Sequence, residues 1–104
     1  HAVIAFDKDW RLSPAYDLTP SLALSRERRD LAMECGDLGR FANTKNLLSQ
    51  CSRFLLDLDQ AQEIITAMTD QVRTNWHSVA RAQGVSERDA EMIRGAFVYD
   101  GLEL

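Results

Sequence analysis

The sequence predicts a mainly α protein, with a short N-terminal β-hairpin followed by a three-helix C-terminal bundle, in one domain over residues 1–104. Three observations carry that prediction. The chain opens on an apolar run with β-branched Val3 and Ile4, and a second short run follows a polar turn. Both prolines, Pro14 and Pro20, fall just after it and bar any helix from passing through. From residue 43 to about residue 98, apolar residues recur at spacings of three and four, the period of helices with one buried face.

Ala2 to Phe6 reads as a buried strand, Asp7-Lys8-Asp9 as a turn, and Trp10 to Leu12 as the returning strand. A hairpin of this size is marginal alone and needs a surface to pack on. That surface is either the helices or another chain, and in the second case the hairpin would promote self-association. Between Ser21 and Asn43 the periodicity weakens. Ser25-Arg26-Glu27-Arg28-Arg29-Asp30 is expected as a solvated loop with local ion pairs, although arginines can also grip a phosphorylated or acidic partner. Leu31 to Cys35 is expected as a brief strand, and Gly36 and Gly39 around Asp37-Leu38 as a turn.

The first helix is expected over Thr44–Phe54, capped by Asn43 or Thr44, with Leu47, Leu48, Cys51, Phe54 and Leu55 on one face. Asp57-Leu58-Asp59-Gln60 reads as a capping box that starts the main helix. Its stripe comprises Ala61, Ile64, Ile65, Met68, Val72, Trp76, Val79 and Ala80, expected as core, and Gly84 ends it as a left-handed residue. Ser86 with Asp89 caps a third helix bearing Ala90, Ile93, Ala96 and Phe97. Tyr99 to Leu104 carries no firm signal. His77 falls beside the stripe, among Arg73 and Arg81, with no carboxylate or serine at helical spacing to make a catalytic pair. It reads as a surface or rim histidine.

An apolar share of 45% and a charged share of 27% belong to an ordinary globular chain. The net charge of −4 argues against a general affinity for nucleic-acid phosphates. No apolar run approaches the ~20 residues of a membrane span. Cys35 and Cys51 lack a Cys-x-x-Cys pattern or a histidine at zinc spacing, so they are expected as reduced, half-buried thiols without a structural zinc.

The most informative stretch is Trp10-Arg11-Leu12-Ser13-Pro14-Ala15-Tyr16-Asp17-Leu18-Thr19-Pro20. Asp17 is a carboxylate among apolar neighbours, held between two imino acids. Such a group is costly unless something meets it. The partner is either backbone amides, which Asp often recruits in a turn, or a hard cation such as Mg²⁺, which takes one or two carboxylates and completes its shell with water and phosphate oxygens.

This stretch resembles the corresponding segment of HipA-type serine/threonine kinases, the toxins of HipBA toxin–antitoxin systems and distant relatives of eukaryotic protein kinases. The opening His1, the apolar run Ala2–Phe6 and the short polar link to Trp10 fit the same resemblance. Trp76, Ala80, Gly84, Ser86, Met92, Ala96 and Phe97 are similar to the family's closing helices. The resemblance implies that the chain is a C-terminal portion of such a kinase and part of the C-terminal lobe of a protein-kinase-like fold. Residues 1–20 would then form the hairpin and metal-site segment and residues 43–98 the helical bundle. It implies that Asp17 holds Mg²⁺ and that Tyr16 lies against ATP. It implies a HipB-like antitoxin and a protein substrate in the translation machinery as partners, and a cytoplasmic location. The family's catalytic Asp and metal-binding Asn are expected just ahead of His1. A Gly-rich phosphate loop and a strand lysine are absent from the sequence, so the chain is expected to be inactive alone.

Two other readings compete. Ala80-x-x-x-Gly84-Val85-Ser86 followed by Ala90 and Ile93 has the spacing of a helix-turn-helix. However, its second helix would bring Glu87, Asp89 and Glu91 against phosphates. Alternatively, the helices form an interaction module for a partner protein, which is compatible with the kinase resemblance.

Overall fold

The structure of the chain, a computed structural model, describes residues 2–22 and 25–103. His1 and Leu104, the two ends of the sequence-based reading, lie outside the described residues. Strands β1 (Val3–Phe6) and β2 (Asp9–Leu12) pair antiparallel, with Val3 opposite Leu12 and Phe6 opposite Asp9. Asp7 and Lys8 form the loop, and Asp7 supplies the positive φ of 57° that a two-residue hairpin connection needs. The register places Val3, Ala5, Trp10 and Leu12 on one face and Ile4, Phe6, Asp9 and Arg11 on the other.

The expectation of a buried first strand is corrected. Val3, Phe6, Trp10 and Leu12 are 57–72% exposed. The reason is what surrounds them: the hairpin's one extensive packing partner is its own second strand.

The stretch from Leu31 to Cys35 is not a strand either. The chain folds back on itself through isolated bridges, Asp30 with Phe41 and Gly36 with Gly39. A side chain from the following helix holds it there. In α1 (Thr44–Leu48), Asn43 caps the start by accepting from the Asn46 amide at 2.8 Å. The fully buried Asn46 carboxamide reaches back into the loop. Its Oδ1 accepts from Leu38 N at 2.7 Å, and its Nδ2 donates to the carbonyls of Gly39 and Phe41 at 2.9 and 2.8 Å. Ser49 Oγ donates to Asn46 O at 2.7 Å and accepts from Asp37 N at 2.8 Å. Gly36 is required here, because a Cβ on it would overlap the Asn46 carbonyl. This knot also explains why the expected Thr44–Phe54 helix is broken. Ser49 and Gln50 turn toward Asp37, and the chain resumes as a 3₁₀ turn at Cys51–Phe54 that ends on left-handed Leu55.

Helix α2 (Leu58–Ala82) starts with the complete capping box of Asp57 and Gln60. It ends in a Schellman arrangement: Val85 N donates to Ala80 O at 3.1 Å and Gly84 N to Arg81 O at 3.0 Å, with Gly84 at φ 87°. Ser86 then caps α3 (Glu87–Phe97) by accepting from Asp89 N at 3.1 Å. The two helices meet where the Trp76 and Phe97 rings stack with centroids 5.3 Å apart, and Ala90 of α3 is fully buried. The tail is ordered by Tyr99. Its hydroxyl accepts from Arg29 N at 2.9 Å, and Arg29 lies over its ring at 4.1 Å, ahead of a 3₁₀ turn at Asp100–Glu103. Arg28 forms the expected local pair with Asp30, but Arg29 is a half-buried clamp between the loop and the tail rather than a solvated charge.

The α2 stripe splits in two. Ala61 is buried and Ile65, Trp76 and Ala80 are half-buried, whereas Ile64, Met68, Val72 and Val79 are exposed, which corrects the expectation of one continuous core face. The whole molecule shares this openness. Its accessible surface of 8388 Å² exceeds by roughly 2,500 Å² that of a compact monomer of this mass. The radius of gyration is 15.9 Å, against about 13 Å for a compact chain of similar length.

Candidate functional site

Residues 13–20 run as irregular chain from the end of β2, as the two prolines require. Ser13 N donates to Ala2 O at 2.9 Å, extending the hairpin ladder by one bond and fixing where the segment departs. The segment then curls so that Ala2, Leu12, Ser13, Pro14, Ala15, Tyr16, Asp17 and Leu18 line an open pocket of about 470 Å³. That volume lies within the range of small-ligand sites.

Asp17 sits in this wall with φ 54°, a left-handed conformation that Asp tolerates better than most side chains. Among the described residues, no hydrogen bond or ion pair engages its carboxylate. The alternative of a turn closed by backbone amides onto Asp17 is therefore not what the structure forms. Ala15, Tyr16 and Leu18 are exposed, Tyr16 at 61% and Leu18 at 80%, rather than burying Asp17 as their composition suggested. The two sequence-predicted site residues, Tyr16 and Asp17, are thus brought to one pocket, whose other walls are apolar except at Ser13.

The fit of a divalent cation follows from the donor set. Asp17 is one available carboxylate facing open space, which suits Mg²⁺ bound partly by phosphate and water oxygens. It does not suit a cage made from this chain alone, since no group of three His, Cys, Asp or Glu residues among the described residues could hold a metal ion.

Two further concavities lie elsewhere. One, of about 820 Å³, runs between the loop at Leu31–Asp37 and Leu47, Arg53 and Phe54. The other, of about 290 Å³, lies between α2 and the tail and is bordered by Thr66, Thr69, Asp70 and Arg73. His77 meets a carboxylate that helical spacing could not show: its Nε2 lies 3.0 Å from Glu87 Oε1 across the α2–α3 turn, with Arg81 3.4 Å from the same carboxylate. This exposed cluster ties the turn together. Cys35 and Cys51 are separate, half-buried thiols. No helix among the described residues is long and apolar enough to cross a membrane.

Sequence reasoning offered Asn43 as a cap of the first helix and missed Asn46 and Tyr99, which with it organise the centre of the molecule. The available signal was the spacing Asn43-x-x-Asn46-x-x-Ser49 just after a Gly-x-x-Gly turn. It places three short polar side chains one turn apart where α1 would otherwise present apolar residues.

The architecture so far is a hairpin, a proline-framed carboxylate and a helical support. The HipA-like C-terminal domain model matches residues 1–76, which include the first two and part of the third, so the chain belongs to the HipA-like C-terminal domain family. The match ends within α2, and α3 and the tail lie beyond it. No curated protein and no solved structure shows significant similarity to the chain.

Proposed function

We propose that the chain is the C-terminal portion of a HipA-like serine/threonine protein kinase, in which the pocket beside the hairpin contributes to the ATP site. The observation that carries this reading is the Asp17 carboxylate in the pocket wall, unpaired among the described residues and within the stretch that matches the family. Asp17 would hold Mg²⁺, and bound Mg²⁺ would neutralise phosphate charge during transfer to a serine or threonine. Tyr16 would lie against the nucleotide, with Leu12, Pro14 and Leu18 forming an apolar wall around it. Pro14 and Pro20 restrict the backbone on either side, so the carboxylate is placed with little freedom left to lose on binding.

In this reading the remaining phosphoryl-transfer groups, the base, the second metal-binding side chain and the phosphate-binding lysine, come from other parts of a larger kinase. The exposed apolar face of the hairpin is where that larger body would pack. The kinase would act as the toxin of a toxin–antitoxin pair in the cytoplasm, with a HipB-like antitoxin and a substrate in the translation machinery. The large exposed surface also supports the reading as a helical interaction module, which the kinase portion would be at the same time.

The test is Asp17→Ala in the longer kinase chain carrying this sequence, measured as Mg²⁺- and ATP-dependent phosphate incorporation into protein. The expected outcome is loss of phosphorylation with an unchanged unfolding temperature. Near-normal incorporation refutes the assignment.

A further inference from the structure

Where helix α2 meets the tail it is polar, although a packed helix face ordinarily carries apolar residues. Thr66, Thr69, Asp70 and Arg73 recur there at spacings of three and four and border the pocket of about 290 Å³. Leu102 and Glu103 of the tail form part of its wall. The charges in this pocket do not pair as helical spacing would have them. Asp70 and Arg73 stand one turn apart, the spacing at which Arg94 and Glu91 pair in α3 at 3.1 Å. Arg73 instead reaches to the tail, where its Nη1 donates to Glu103 Oε1 at 2.7 Å. Among the described residues, no hydrogen bond or ion pair engages the Asp70 carboxylate or the Thr69 hydroxyl next to it. Thr66 Oγ1 accepts one bond, from Gln62 Nε2 at 3.2 Å, and has capacity for a second.

We infer that this pocket binds a cation carried on an alkyl stem, a primary ammonium or a guanidinium. Arg73 and Glu103 offset one another, so the open carboxylate of Asp70 leaves the pocket net negative. That sign disfavours phosphates and carboxylates and selects a cation. The Asp70 carboxylate and the Thr66 and Thr69 hydroxyls are oxygens that accept from its N–H groups, the carboxylate through charge-assisted bonds. Ile65 and Leu102, both half-buried, give the stem an apolar wall. A bare divalent ion is a poorer fit, because no group of three His, Cys, Asp or Glu residues among the described residues could hold one. The volume lies at the lower edge of small-ligand sites, which limits the occupant to a small molecule or to one side chain of a protein partner. The family match ends at residue 76, so Leu102 and Glu103 complete the pocket from beyond it. The inference is independent of the Asp17 reading, since the two pockets share no residue.

The experiment is a titration of the isotopically labelled 104-residue chain with agmatine, an alkylguanidinium, followed by amide chemical shifts. The unfolding temperature of each variant is measured alongside. The expected result is saturable binding in the millimolar range or tighter, with shifts centred on residues 62–73 and 102–103 and no saturation by neutral pentanol or anionic butyrate. Asp70→Asn should weaken agmatine binding by about tenfold or more, and the near-isosteric Thr69→Val by about threefold or more. Asp59→Asn removes the same charge from the first turn of α2, outside the pocket, and should leave the affinity unchanged. That control separates the site from general attraction of cations to a chain of net charge −4. A capped glycyl-arginyl-glycine peptide distinguishes the two sources of the cation. Affinity equal to agmatine's assigns it to a partner's side chain, and affinity weaker by about tenfold assigns it to a free small molecule. Absence of saturation, equal binding of pentanol, an unchanged affinity in Asp70→Asn, or an equal loss in Asp59→Asn overturns the proposal.

Discussion

The two ends of this molecule are built on opposite plans. In the helical part the best-buried large side chains are polar: Asn43 and Asn46 are 2% and 0% exposed, and the Asn46 carboxamide fixes one loop against one helix. In the hairpin the large side chains are apolar and face outward, and its backbone pairs mainly with itself. One region is held by what it buries, the other by its covalent stiffness and a few ladder bonds. The lesson is that structural and candidate chemical residues are segregated here. The side chains that specify the fold lie in residues 29–99, while the Asp17 carboxylate, unpaired among the described residues, and its pocket lie in Ala2 and residues 12–18.

The largest effect should come from the polar knot. Asn46→Leu keeps the branched shape but leaves Leu38 N and the carbonyls of Gly39 and Phe41 without their partner, each at a cost of about 1–3 kcal/mol. Some of these groups will find water as the loop opens, so a net loss of about 3–5 kcal/mol is expected by chemical denaturation. Gly36→Ala should do comparable damage, because the added methyl meets backbone rather than a mobile side chain. If either variant unfolds within about 1 kcal/mol of the parent, the knot is not the centre of the helical part.

A smaller effect should come from the junctions. Ser86→Ala removes the acceptor for Asp89 N and should cost about 1 kcal/mol, recovered largely by Ser86→Asp. Tyr99→Phe keeps the ring beneath Arg29 but removes the acceptor for Arg29 N, for a loss of about 1–2 kcal/mol. Thermal unfolding followed at the α3 helix signal resolves both. No change in either would mean that α3 and the tail are not coupled to the loop at residues 25–30.

These junctions also mark how far the sequence could be read. Caps and stops were legible because their chemistry is local: Asp57 with Gln60, Gly84 with its positive φ, and Ser86 all occupy the positions their types predict. So were the hairpin and the proline-framed segment that places Tyr16 and Asp17. What escaped was set by residues far apart in the chain. Tyr99 is ordered by Arg29, seventy positions earlier. Asn46 is buried because a loop from Cys35 to Phe41 closes over it. The division of the α2 stripe depends on which half α1, the 3₁₀ turn at Cys51–Phe54 and α3 cover, and a hydrophobic period cannot distinguish a covered face from one left open.

The smallest effect is the most discriminating. Trp10→Ser with Leu12→Ser removes two large apolar groups from one face of β2, a change that in a packed sheet would cost several kcal/mol. Here both side chains are about 70% exposed, with values of 68% and 72%, and no helix covers them. The expected change in the unfolding free energy of the helical part is therefore within about 0.5 kcal/mol. The amides of β1 and β2 should exchange faster, since strand propensity and the Ala5–Trp10 and Val3–Leu12 cross-strand pairs are lost. Hydrogen exchange read region by region separates the two. A global loss of protection would mean that the hairpin is a buttress of the fold. Loss confined to residues 3–12 would mean that it is an unfilled interface, held ready beside the carboxylate it positions.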